Sequence, residues 1–297
     1  MKIALFTHEL VPEIGHSRAL IETINHIPSD KIDHLYVVSF EMGNPQEIFP
    51  ELKNRITFIE VPKLYFGPFL IKMLYFFIAS WFITKLKLSS DVKKVGIGIA
   101  SLSVDYVNVQ FVHKEWEHFY FSRFKFPIYK YLYKKLLFFF FWLGENYLYR
   151  IKSHTQFSIL SEFEQDYMTT HFNIPKEHTI LNYSGINLDN FDFINESKEE
   201  VLNELISDYP QMTKLELNQP IYLFVGAFER KGLNLVIDKI RSVPNAQLLV
   251  VGRPESAKGF SLPDDLNITY VEFTKRFKNS IIWQMSLFFP QSMSHLD

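Results

Sequence analysis

Two adjacent cations, Arg230 and Lys231, stand in AFERKG, between an apolar run at Pro220–Gly226 and a segment of helical periodicity that opens at Leu233. Positive charge at the start of a helix opposes the macrodipole, so the pair makes physical sense where an anion shares the site. Backbone N–H groups, Arg230 and Lys231 would then hold a diphosphate together, and Gly232 would let the backbone approach it. The rival reading is a solvated basic turn; a position at a strand end favours the anion. A second candidate is His113 in VHKEW, just past the apolar run Tyr106–Phe111. An imidazole there can bond a sugar hydroxyl or a phosphate, or move a proton, and its rival role is a hydrogen-bonded structural histidine. His118 reads as a surface residue. Gly15 lies in the loop after the first apolar run, where it serves backbone geometry as readily as a ligand. The pattern G-x-G-x-x-G is absent, so dinucleotide binding has no support.

Strands and helices must bring these residues to one edge. Strand-like runs are Lys2–Thr7, His34–Phe40, Ile56–Val61, Val95–Ala100, Tyr106–Phe111 and Gln156–Leu160, and helix-like segments separate them. One helix is expected over Ser17–Ile27, with Leu20, Ile21, Ile24 and Ile27 on one face and Ser17 as its cap, and another from about Glu162. Alternation of this kind predicts an α/β fold with a doubly wound parallel sheet. Residues 192–219 break the pattern: they are polar and read as a linker with one short helix. A second module follows, with strands at Pro220–Gly226, Gln247–Gly252, Ile268–Glu272 and Ser286–Phe289 and a helix at Leu233–Ile240. The expectation is two Rossmann-like domains, residues 1–193 and 220–297, joined by a linker at 194–219, with ligands in a cleft beside the strand ends.

Composition narrows the functions. The chain has 297 residues, 22% charged, with a formal net charge of −2, so bulk nucleic-acid binding has no electrostatic basis. With no Cys, disulfide frameworks, thiolate metal sites and Cys nucleophiles are excluded. MKIALFTHEL lacks the features of an export signal, so a cytoplasmic protein is expected. The apolar run Met73–Thr84 has 12 residues, short of the roughly 20 needed for a span.

The stretch VGAFERKGLNLVI resembles the donor-site signature of retaining GT-B glycosyltransferases of family 4, and of that family it is most similar to the lipopolysaccharide core glucosyltransferase type. FSILSEFEQDYMTTHFNIPKEHTILNYSGINLDNF, VQFVHKEW, LLVVG and SLFFP resemble further segments of the same family, weakly before residue 100 and well from about 105 to 252. The resemblance implies GT-B architecture and transfer of a sugar, with retention, from a UDP- or GDP-linked nucleotide sugar to a glycan or lipid-linked acceptor in bacterial surface glycan synthesis. It implies no metal and no further cofactor. By carry-over, His113 contacts the sugar, Arg230, Lys231 and Gly232 hold the donor diphosphate, Gly15 borders the donor phosphates or the acceptor, and Gly226 and Glu162 line the cleft.

The sequence also departs from the family. Members carry a pair of Glu residues after the strand matched by SLFFP, whereas the last Glu here is Glu272. The second domain therefore reads as incomplete, and the alternative function is a catalytically inactive GT-B remnant that binds a membrane or a partner. Residues 111–152 hold 17 aromatics, eight Lys or Arg and three Glu. Rings flanked by lysines suit a helix lying on an anionic membrane, which predicts peripheral contact, on the inner face of the cytoplasmic membrane, through this segment. The rival is a core helix with a solvated basic face.

Overall fold

The computed structural model describes residues 1–12, 14–52, 54–123, 126–152, 154–183, 185, 197–229, 231–257 and 260–272. The chain divides into two compact units, Met1–Ile186 and Asn187–Asp297.

In the first unit the elements run β1 (Lys2–Phe6), β2 (Glu9–Leu10), α1 (Gly15–Asn25), β3 (His34–Ser39), β4 (Glu41–Met42), α2 (Pro45–Ile48), β5 (Ile56–Glu60), α3 (Phe69–Leu86), β6 (Lys93–Ile97), β7 (Tyr106–Val109), α4 (His113–Arg123), α5 (Ile128–Asn146), β8 (Gln156–Ile159), α6 (Glu162–Phe172) and β9 (Thr179–Leu181). A π-helical turn, Tyr147–Ile151, continues α5. Seven strands form one parallel sheet in the order β5-β3-β1-β6-β7-β8-β9. The chain winds outward from β1 to one edge, then returns to β6 and winds to the other. Between β1 and β6 lies the topological switch point, beside which such sheets bind ligands.

Period-two alternation splits the core across this sheet. Ala4 and Phe6 pack with Val38, Phe76 and Val107 on one face, while Leu5 packs with Leu20, Ile24, Leu35 and Val37 on the other. Each of the Val, Leu, Ile and Phe side chains among them stabilises the fold by about 1.5–3 kcal/mol through its burial. The sequence misplaces the start of α1. It begins at Gly15, and Ser17 is no cap: it is buried in the first turn, where its hydroxyl donates to the Glu9 carbonyl at 2.9 Å. The strand expected at Val95–Ala100 runs instead over Lys93–Ile97, because Gly98, at φ +52°, turns the chain there.

In the second unit the elements are α7 (Lys198–Asp208), β10 (Ile221–Val225), α8 (Leu233–Ile240), β11 (Gln247–Gly252), α9 (Pro254–Ala257) and β12 (Asn267–Glu272). The strands pair in parallel, in the order β10-β11-β12. On one face lies α8, whose Leu233, Ile237 and Ile240 pack on Phe224, Leu248 and Val250. The other face is covered by residues anticipated as a linker: Leu205, Tyr209, Met212 and Leu215 pack on Ile221, Leu249, Val251 and Val271. A capping box, Ser197 with Glu200, starts α7. The buried Gln247 amide ties that segment to the sheet by bonding the Glu216 N–H at 2.8 Å and its carbonyl at 2.7 Å. The strand anticipated at Ser286–Phe289 lies outside the described residues.

Candidate functional site

In the first unit the chemistry gathers past the ends of β1 and β7. His113 is the first residue of α4. Its ring Nδ1 lies 2.9 Å from Oε1 of Glu145, a side chain of α5 with no exposed surface. A carboxylate has no proton to give, so Nδ1–H is the donor and Nε2 is left as the open nitrogen. The same carboxylate accepts the backbone N–H groups of His113 and, at 3.1 Å, Lys114. Glu145 thus caps α4 from 32 positions along the chain. Buried negative charge is tolerable here because charge-assisted bonds and the positive end of the helix compensate it. Phe111 and Phe141 flank the imidazole, with ring centroids at 4.7 and 4.1 Å.

His8 lies two residues past β1, at the switch point. Its ring packs on Phe76 at 4.8 Å and on Phe40 at 5.9 Å. Nε2 of His8 is buried with no hydrogen-bond partner among the described residues. Burial pushes the imidazole down to about 4, and positive charge on His16 and His113 pushes the same way. At neutral pH His8 is therefore uncharged, with its unpartnered nitrogen in the electrostatic neighbourhood of His113. Gly15, the first residue of α1, faces open space, and α1 has neither a capping side chain nor an acid in its first turn. Glu162, the first residue of α6, is exposed and accepts from the Tyr183 hydroxyl at 3.1 Å; no hydrogen bond or ion pair joins it to His113. His118 is exposed, as its sequence position suggests.

In the second unit the loop after β10 is shaped by two glycines. Gly226 has φ +127°, and a Cβ there would sit 2.8 Å from the Lys231 side chain. Gly232 precedes α8 at φ +72°. Both angles favour glycine. Lys231 folds back over Gly226, and its ammonium donates to the Val225 carbonyl at 3.0 Å, at the end of β10. The structure therefore brings Gly226, Lys231 and Gly232 together, with the ammonium in front of the strand end and α8 opening behind it. Arg230 lies outside the described residues. Gly252, at the end of β11, leaves room for the buried Phe228 ring, which a Cβ there would overlap.

Sequence reasoning missed His8, Glu145 and Gly252. His8 follows a strand just as His113 does, and that criterion would have found it. The signal for Glu145 is a single carboxylate within the apolar run from Leu136 to Ile151. Among the described residues, no group of three or more His, Asp and Glu side chains is arranged to hold a metal ion.

No family model and no curated protein matches the sequence. Solved structures do. WaaG, a glycosyltransferase involved in lipopolysaccharide biosynthesis, superposes with a TM-score of 0.66 at 15% identity, covering 92% of this chain and 70% of that one. HepE of Anabaena matches in its complex with UDP and glucose, with a TM-score of 0.53 at 13% identity over 93% of this chain and 70% of that one. Its complex with UDP-glucose gives 0.51 at 14% identity, over 92% and 69%. At such identities the likeness is one of fold, and the fold that the two parallel-sheet units share with these enzymes is the Rossmann-like GT-B fold of glycosyltransferases.

Proposed function

We propose that the chain transfers a sugar, with retention at the anomeric carbon, from a UDP- or GDP-linked donor to a glycan or lipid-linked acceptor in the building of a bacterial surface glycan. The observation that carries this reading is the loop after β10, where two positive-φ glycines hold the Lys231 ammonium at a strand end in front of α8. The HepE structures, with UDP and with UDP-glucose bound on the same fold, support it. A departing nucleoside diphosphate gains negative charge. Lys231 and the first turn of α8 would stabilise that charge, as would Arg230, and one such contact contributes on the order of 3 kcal/mol to the rate. His113, aligned by Glu145, would present Nε2 to a hydroxyl of the transferred sugar, and Gly15 would border the donor phosphates or the acceptor. The test is thermal stabilisation by a panel of nucleotide sugars, UDP and GDP. A donor at a hundredfold excess over its dissociation constant stabilises by about 2.7 kcal/mol. A shift with one donor, lost in Lys231→Ala, is expected. No shift with any donor from a cooperatively folded chain would leave the non-catalytic, membrane- or partner-binding role.

A further inference from the structure

Two helices of the first unit turn apolar faces to water. In α3, Leu70, Met73, Phe76 and Ser80 are buried, and the opposite face carries Ile71, Ile78 and Phe82, of which Ile78 is 59% exposed. In α5 the exposed stripe is Ile128, Leu132, Leu136, Phe139 and Leu143, spaced three or four residues apart, with Ile128 at 71% and Leu132 at 59%. The helices adjoin: Leu70 and Met73 share a cluster with Leu137 and Tyr133, and the Leu70 N–H donates to the Tyr133 hydroxyl at 3.3 Å. Just before α3, Tyr65 and Phe66 stand 89% and 75% exposed. A water-facing helix surface is ordinarily polar, and an apolar patch this extensive marks a partner.

Charge identifies the partner. Residues 61–90 and 118–144 contain nine Lys and Arg and no Asp or Glu. Lys72, Lys85, Lys87 and Lys130 form no ion pair among the described residues. An apolar face set among unpaired cations fits the surface of an anionic bilayer. By length and composition α3 could cross a membrane, but Phe76 on its inner face is fully buried against the sheet with Phe6 and Val107, so the helix lies along the protein. We propose that α3, α5 and the Tyr65–Phe66 turn form one docking face for an anionic membrane surface. This moves the contact expected of residues 111–152: Leu137, Phe138 and Leu148 of that segment are core, and α3 supplies half of the face. The inference stands apart from sugar transfer, because it rests on residues outside both strand-end sites.

The test is flotation of the full chain with vesicles of phosphatidylcholine, with and without phosphatidylglycerol. Flotation with the anionic vesicles is expected, together with a blue shift of tryptophan emission that is diminished in Trp81→Phe. Ile78→Glu combined with Phe82→Glu, and separately Leu132→Glu, should each weaken binding by more than about tenfold. Lys85→Ala and Lys130→Ala should each weaken it by about fivefold. All five residues are exposed, so melting temperature and circular dichroism should match the parent, which separates lost docking from lost folding. The proposal is overturned if the parent does not float with anionic vesicles, if the variants float equally, if carbonate fails to release the chain, or if the face forms a discrete dimer in place of vesicle binding.

Discussion

Glu145 has two tasks that different substitutions separate. Its carboxylate caps α4 and orients His113, and both tasks depend on its being an acceptor with no proton of its own. Glu145→Gln keeps the volume but offers one acceptor where two oxygens are in use, and turns an amide N–H₂ towards a donor. Unfolding in urea should show a loss of about 1–3 kcal/mol, the cost of leaving a buried donor unsatisfied. His113→Gln keeps the buried carboxylate on the two backbone N–H groups and should cost less. On the proposed reading both variants lower kcat in single-turnover assays, Glu145→Gln by about 10–100-fold, because it acts only through His113. His8 gives a pH prediction. Its folded value, about 4, lies below the ordinary 6.5, so the unfolded chain binds a proton that the folded chain refuses. The stabilising contribution is fully present above pH 6.5 and is lost as pH falls towards 4, by about 3 kcal/mol in all. Denaturation midpoints measured across that window should show the slope, and His8→Phe, which keeps a ring among Phe40 and Phe76, should flatten it.

At the scale of elements, the loop after β10 depends on a glycine that has a neighbour to avoid. Gly226→Ala adds a methyl 2.8 Å from the Lys231 side chain at a φ of +127°. Backbone strain there costs about 1–2 kcal/mol, and Lys231 must leave the strand end. A lower melting temperature and weaker nucleotide-sugar stabilisation should appear together, whereas Lys231→Ala, an exposed site, should lose the ligand effect alone. Elements were legible where one force dominates. QLLVVG is a run of six buried residues in a parallel sheet, and α8 opens at Leu233 behind a glycine, so both lie where the sequence places them. The first helix was harder, because Ser17 looks like a cap and instead satisfies a carbonyl eight residues back. Residues 197–219 are polar enough to read as a linker, yet Leu205, Tyr209, Met212 and Leu215 recur at spacings that cover a sheet face. Glu145 was illegible because its partners are 31 and 32 positions away, and no local pattern encodes a cap supplied from another helix.

Across the whole molecule, a net charge of −2 conceals a strong separation. Residues 61–90 and 118–144 carry nine Lys and Arg and no acid, so the rest of the chain holds the other 22 basic residues against all 33 acidic ones, a net −11. An anionic surface attracts the α3–α5 face before any apolar contact forms. The two attractions respond differently to salt. Charge is screened over about 10 Å at 0.1 M ionic strength and about 3 Å at 1 M, whereas apolar burial is not screened. Binding to phosphatidylglycerol vesicles should therefore weaken steeply as salt is raised and then level off at a residual affinity. Ile78→Glu with Phe82→Glu should abolish the plateau, and Lys85→Ala with Lys130→Ala should flatten the slope while the plateau remains. Binding that falls to zero with no plateau would show that charge alone holds the protein to the membrane and that the exposed leucines and phenylalanines take no part.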